Sequence, residues 1–235
     1  MPTIACLSDT HLKHAAVTVP RADILVHAGD CTKRGTRAEL EGFLRWYGAQ
    51  PAAARLLVAG NHDAVCEERP DLARELAAKA GVTYLCDEEL VVEGLRVWGS
   101  PVTPKFRDMA FNVERGPAIR AVWEAIPTGL DLLVTHGPPR GLGDRIFLGT
   151  HVGCADLLER VKVAAPRVHV FGHIHEAHGD YTLDGCATRF YNVANARLTI
   201  GTRPATVIEL EARPEAAQSS ARGAALRRGL ADGAP

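Results

Sequence analysis

The sequence predicts a mixed α/β (α+β) protein of four layers, α-β-β-α: two mixed sheets packed face to face, with helices outside. Three observations predict it. Short apolar runs recur five times, continuous enough for strands covered on both faces, and each ends in a polar cluster. Segments with helical spacing separate them. Beyond residue 82 the texture changes to paired short runs, as hairpins produce. Parallel β-α units together with hairpins fit two sheets better than one.

In chain order, "TIACLSD" (3–9), "DILVHAGD" (23–30), "ARLLVAGNHD" (54–63), "LDLLVTHGPP" (130–139) and "PRVHVFGHIH" (166–175) read as strands. Helices are expected over 36–49, 70–81 and 153–166. Leu40, Phe43, Leu44 and Tyr47 make one apolar face, and Gly81 and Pro166 act as stops. "EELVVEGLRVWGSP" (88–101) turns at Glu93-Gly94, and 188–210 reads as further antiparallel strand. Residues 1–210 are expected to form the catalytic domain. From 211 to 235 the composition shifts to Ala, Arg, Gly and Ser and reads as a mobile tail, in which "AALRRGLA" is the stretch able to make a short helix.

A net charge of −1 speaks against nucleic acid or an anionic membrane as partner, since such binders carry a basic excess on one face. The amino terminus has no basic region and meets Asp9 before a signal-peptide core is complete. No apolar run approaches the length of a membrane span. Cys6, Cys31, Cys66, Cys86, Cys154 and Cys186 are scattered without a CxxC pair. Free thiols in a reducing cytoplasm explain them better than disulfides or a thiolate zinc site.

The polar clusters after the strands carry the chemistry. They are Asp9-Thr10-His11, Gly29-Asp30, Gly60-Asn61-His62-Asp63, His136-Gly137 and Gly172-His173-Ile174-His175. Sites in such sheets form at the carboxyl ends of the strands. A single D-x-H or G-D pair is common, and a lone histidine after an apolar run is more often a half-buried hydrogen-bonded residue. Five clusters in this order converge. Asp9, His11, Asp30, Asn61, His136, His173 and His175 would be costly to bring together unless they coordinate something. Oxygen and nitrogen donors without thiolate suit Mn, Fe, Zn or Co. Seven ligands exceed one tetrahedral site but serve two divalent ions sharing a carboxylate, a recurrent solution to phosphoester hydrolysis.

The ordered set DTH, GD, GNHD, TH and GHIH resembles the calcineurin-like metallophosphoesterase superfamily. "HAGDCTKRG", "GSPVTPKF", "AFNVERG", "VTHGPPRGLGD", "HVGCADLL" and "VFGHIHEAHG" are similar to its small branch of vertebrate brain metallophosphodiesterases and bacterial relatives. The resemblance covers about residues 3–210. It implies one metal on Asp9, His11, Asp30 and His175 and a second on Asp30, Asn61, His136 and His173, with Asp30 bridging. Some members lack the first histidine of the last motif; His173 is present here, so a full pair is expected. The resemblance further implies a metal-bridging hydroxide attacking phosphorus, with His62 protonating the leaving alkoxide. Asp63 is the expected orienter of His62.

The expected activity is hydrolysis of small phosphodiesters such as cyclic nucleotides, with manganese as the favoured ion. Phosphomonoester hydrolysis is the enzymatic alternative, with Arg107, Arg115, Arg140 and Arg145 available for the extra charge. A non-catalytic interaction module on the same fold is the other; a nuclease fits poorly with the balanced charge. Arg107, Asn112 and His151 are the expected substrate contacts, Arg107 and Asn112 from a long insertion after the hairpin. Arg107 could equally pair with Asp108. Phe106, Phe111 and Trp98 could stack a base or pack the loop. His169 reads as core, His27 as support or packing beneath the metals, and His178 as a residue of the cleft mouth. Oligomeric state is not readable.

Overall fold

Strand after strand, alternate side chains enter different cores. The computed structural model describes residues 1–197 and 201–212. The chain runs β1 (Thr3–Leu7), β2 (Ala22–Ala28), α1 (Arg37–Gly48), β3 (Ala52–Val58), α2 (Ala64–Glu68), α3 (Pro70–Lys79), β4 (Thr83–Leu85), β5 (Glu88–Val92) and β6 (Leu95–Ser100). It continues through the short pair β7 (Thr103–Pro104) and β8 (Asn112–Val113), then α4 (Pro117–Glu124), β9 (Leu132–Thr135), α5 (Ala155–Ala164), β10 (Val168–Phe171), β11 (Gly179–Leu183), β12 (Cys186–Asn192) and β13 (Thr206–Glu209).

One sheet has the order β13-β1-β2-β3-β4, the other β11-β12-β10-β9-β6-β5. In each, four adjacent strands are parallel, β4 among them at an edge, and the other edges β13, β11 and β5 are antiparallel. Both sheets are therefore mixed, as expected. The period of two along a strand sorts the side chains. Ile4, Cys6, Ile24, Val26, Leu56 and Val58 of the first sheet meet Val97, Leu132, Val134, Val168 and Val170 of the second in a buried inter-sheet core. Their neighbours Ala5, Leu7, Leu25 and Leu57 point the other way, onto Leu40, Phe43, Leu44 and Tyr47 of α1 and Ala73 and Ala77 of α3. Trp98, Leu133, Phe171 and Phe190 likewise pack on Ile119 and Trp123 of α4 and Leu157 and Val161 of α5. The layers are α-β-β-α.

The expected helical face of α1 is the buried one, and Thr36 caps it by accepting from the Glu39 N–H. Helix α4 is not among the helices the pattern predicts. Its signals are Pro117 at the first position and Ile119 and Trp123 four apart, short evidence inside a polar insertion. The stretch 188–210 is not one antiparallel unit. Strand β12 pairs antiparallel with β11 but parallel with β10, and β13 crosses to the other sheet against β1. The expected tail falls from residue 213 onward outside the described residues. Among the described residues no helix is long and apolar enough to cross a membrane.

The parallel strands bring their carboxyl ends to one rim. There Ser8, just past β1, bridges to Ala194, just past β12. The Ser8 N–H donates to Asn195 Oδ1 at 3.0 Å, and the Asn195 N–H to the Ser8 carbonyl at 2.8 Å. The two sheets are thus joined at the ends of two interior strands, β1 and β12, where the polar clusters emerge.

Candidate metal centre

Asp9 and His11 follow β1, Asp30 follows β2 and Asn61 follows β3; His136 follows β9, and His173 and His175 follow β10. Four residues come from one sheet and three from the other. Ligand atoms of Asp9, His11 and His175 lie within 4.8 Å of one another, as do those of Asp30, His136 and His173. His11 Nε2 is 3.2 Å from His175 Nε2, His175 Nε2 is 3.3 Å from Asp9 Oδ1, and His136 Nε2 is 2.9 Å from Asn61 Oδ1. Donors bound at about 2.0–2.2 Å to a common ion stand roughly 3–3.5 Å apart, so the spacings fit a shared cation. Asp30 lies between the groups, with Oδ2 3.7 Å from His11 Nε2 and Oδ1 3.4 Å from His136 Nε2. Asp9 Oδ1 is buried without a hydrogen-bond partner, and a cation is a group that would satisfy it.

The imidazoles are aimed from behind. His136 Nδ1 is 2.8 Å from the Ala28 carbonyl and His11 Nδ1 is 3.3 Å from that of Thr32. A proton donated there leaves each Nε2 lone pair facing the centre. The carboxylates are held too: Asp9 Oδ2 accepts from the His173 N–H at 2.9 Å and Asp30 Oδ1 from the His62 N–H at 2.8 Å. Asp9, His11, Asp30 and His173 all have left-handed backbone, with φ of 54°, 41°, 58° and 68°. Non-glycine residues adopt it rarely, and it concentrates at functional sites. The motif glycines leave room. A Cβ on Gly172 would stand 2.2 Å from Asp9 Oδ2, and one on Gly60 2.3 Å from Asp30 Oδ1.

The electrostatics favour positive charge. Burial works against ionised Asp9 and Asp30, yet the surrounding imidazoles hold both carboxyls below their usual range, Asp30 at about 2. Burial also opposes charge on His136, but Asp30 and Asp9 outweigh it and raise that imidazole to about 9. Burial, aided by His136, pushes His173 down to about 4. Buried acceptors that draw a proton onto one of their own number suit a cation.

His62 also reaches the centre: a ligand atom of its ring lies within 4.8 Å of those of His11 and Asp30, and its Nδ1 is 3.0 Å from the Lys33 carbonyl. Asp63 does not orient it. That carboxylate accepts from the N–H groups of Gly60 and Thr32, each at 2.8 Å, and from the Thr32 hydroxyl at 2.7 Å, shaping the turn after Asp30. The three expected substrate contacts lie away from the ligand cluster's own cavity. Arg107 is exposed over the ring of Phe106, and Asn112 spends its amide on the carbonyls of Phe106 and Arg107 and accepts from Thr103. His151 Nδ1 pairs with buried Asp144 Oδ1 at 2.6 Å and borders a cavity of about 660 Å³ with Arg145, Phe147 and Tyr181. None of the three lines the cavity that touches His173 and His175, whose walls include Phe106, Arg115, Pro138 and Ile146.

Sequence reasoning missed Asn192 and Asn195. Asn192 Nδ2 donates to the carbonyls of Gly143 and Ile174, both at 2.9 Å, fixing the turn that carries His173. Two buried amides spaced N-x-x-N after a strand were the available signal. His27 and His169 are buried, bonded to Thr10 and Thr135 beside the candidate ligands Asp9, His11 and His136.

Known proteins resemble this chain in sequence or in fold. A human and a mouse "Metallophosphoesterase domain-containing protein 1" are each 36% identical over 206 residues, covering 78% of this chain and 63% of the relative. The chain therefore spans under two thirds of those proteins' length. A UPF0046 protein of Caenorhabditis elegans is 38% identical, covering 86% of this chain and 73% of its own. Among solved structures, a phosphopantetheinyl hydrolase from Mycobacterium tuberculosis superposes with a TM-score of 0.57 at 18% identity, covering 82% of this chain and 88% of that one, a likeness of fold. The sequence model of the calcineurin-like phosphoesterase superfamily domain matches residues 3–213. With these relatives and a cluster of ligand residues at the shared rim, the chain belongs to the calcineurin-like phosphoesterase superfamily, in the branch of the metallophosphoesterase domain-containing proteins.

Proposed function

We propose that this protein is a two-metal phosphodiesterase acting on small phosphodiesters such as cyclic nucleotides, with manganese as the favoured ion and the cytoplasm as its compartment. The catalytic domain is residues 1–210. The observation that carries the reading is Asp30, whose two oxygens face His11 and His136 on opposite sides. One ion falls to Asp9, His11, Asp30 and His175, the other to Asp30, Asn61, His136 and His173. Two such ions supply, when bound, an activated water and neutralisation of charge on the phosphoryl oxygens.

The protein's own groups do the rest. The carbonyls of Ala28 and Thr32 keep Nε2 of His136 and His11 turned to the centre. His62, its Nδ1 held by the Lys33 carbonyl, presents Nε2 to the leaving oxygen and protonates it. Preference for a diester over a monoester is supported by the neighbouring cavity. Its cations are engaged: Lys105 pairs with Glu114 at 2.7 Å, and Arg115 donates to the carbonyls of Val152 and Gly153. Neither stands free for a second phosphate charge. Metal-loaded protein assayed on cyclic nucleotides, other diesters and monoesters tests the reading. Diester turnover abolished by chelation is expected; turnover confined to monoesters would replace it.

A further inference from the structure

The cavity beside the ligands measures about 330 Å³, and its wall includes His173 and His175. Elsewhere the wall is mainly apolar: Pro104, Phe106, Pro138, Ile146, Val152 and Ile174. The polar groups at its edge are occupied within the protein. Besides Lys105 and Arg115, Glu176 accepts the Phe147 N–H at 2.9 Å. The mouth is apolar as well, with Phe106 57% exposed. Ile146 begins a tight turn, closed by its N–H on the Thr150 carbonyl at 3.1 Å. That turn holds out Phe147 and Leu148, 84% and 82% exposed, with Phe147 on the neighbouring cavity that His151 borders.

We infer that this cavity seats the non-scissile arm of the substrate and that this arm is an apolar alcohol, a short alkyl chain or a single aryl ring. The inference rests on the phosphodiesterase reading and narrows its substrate class. Ligand pockets run from roughly 300 to 1,000 Å³, so this one is at the small end. A nucleoside placed here would lose water from its hydroxyls and base amines against walls whose polar groups are already bonded. A cyclic nucleotide is turned over with its nucleoside outside the cavity, and less efficiently than an apolar diester.

The test is a series of alkyl 4-nitrophenyl phosphates, methyl to hexyl, with the metal-loaded full chain. Water adds to phosphorus and the P–O bond to nitrophenolate breaks, releasing a proton, nitrophenolate and the alkyl phosphate; the alkyl arm stays on phosphorus. kcat/KM should rise about two- to fourfold per methylene until the cavity is full, then level off. In Phe106→Ala and Ile146→Ala the rise per methylene should shrink. That slope is read independently of the basal rate, in protein of wild-type metal content and thermal midpoint. A flat wild-type series with the methyl ester turned over overturns this inference and leaves the phosphodiesterase reading standing. A slope that persists in both variants overturns it too. If no ester is cleaved, the phosphodiesterase reading fails, and calorimetric titration with methyl to hexyl phosphate then decides: affinity climbing with chain length supports the apolar seat, and flat or absent binding overturns it.

Discussion

His11 and His175 lie 164 residues apart in sequence and meet Nε2 to Nε2 at 3.2 Å. Two imidazole lone pairs at that separation repel unless a proton or a metal ion lies beside them. Chelated protein is therefore expected to lose activity and to regain it best with manganese, binding about two ions per chain. Rebinding should also stabilise the fold, by about 2.7 kcal/mol for each site held at a hundred times its dissociation constant. Elemental analysis finding well under one ion per active chain would overturn the two-metal site.

Asp30→Asn removes the negative charge between the two ligand groups. Both ions should bind at least about tenfold more weakly, since even groups behind the ligands cost about 10–100-fold when removed. Turnover at limiting metal should collapse. Unchanged metal content and rate would show that Asp30 does not bridge.

His62→Ala separates chemistry from metal binding, because all seven ligands remain. Losing a general acid costs about 10²–10⁴-fold. The defect should be large on a cyclic nucleotide, whose alkoxide needs the proton, and much smaller on a nitrophenyl diester. Equal defects with metals retained would assign His62 to positioning. Loss of an ion would make it a ligand, a role its closeness to His11 and Asp30 makes worth measuring.

Gly172→Ala should lower both stability and metal affinity, since the new Cβ would stand 2.1 Å from Ser8 Oγ and 2.2 Å from Asp9 Oδ2. Overpacking of this kind costs about 1–3 kcal/mol. Gly42, inside α1, has nothing within 4 Å of such a Cβ, so Gly42→Ala should instead stabilise by about 0.5–1 kcal/mol. Denaturant midpoints and metal titrations of the two variants make the comparison; similar effects would remove the close-approach account of the motif.

Burial pushes the His169 imidazole down to about 3. The unfolded chain takes up that proton near pH 6.5 and the folded one does not. Stability from this residue is complete above about pH 6.5 and falls by about 1.4 kcal/mol per unit as the pH drops toward 3. Chemical denaturation of wild type and His169→Asn between about pH 4 and 6 should show a shallower slope in the variant. Parallel slopes would mean that His169 is protonated in the fold.

The strands and their polar ends were legible because each apolar run alternates between two cores and each site residue sits directly after one. The convergence of Asp9, Asp30, Asn61, His136 and His173 follows from that local placement. What lies across the sheets was not legible. Asp63 looks like a partner for His62 in sequence, yet the turn after Asp30 brings the Thr32 N–H and hydroxyl within its reach, and the Gly60 N–H of its own turn adds a third donor. Asn112 and Arg107 sit in an insertion whose fold depends on contacts made with one another, so residue type alone did not show where their side chains would go. Helix α4 was hidden in the same insertion. The apolar cavity draws its walls from segments far apart in the chain, and no local pattern announces it.

The seven proposed ligands come from both sheets, and that division has a thermodynamic consequence. An ion held by Asp9 and His175, or by Asn61 and His136, works as a removable cross-link between the halves of the sandwich, at the rim where Ser8 and Asn195 already join them. With an ion bound there, neither half could open without releasing it, so ion affinity and resistance to unfolding would become one quantity. In a metal-starved cell the rim would open more often, exposing the chain to proteases, and the shortage would appear as less protein rather than as the same amount of idle enzyme.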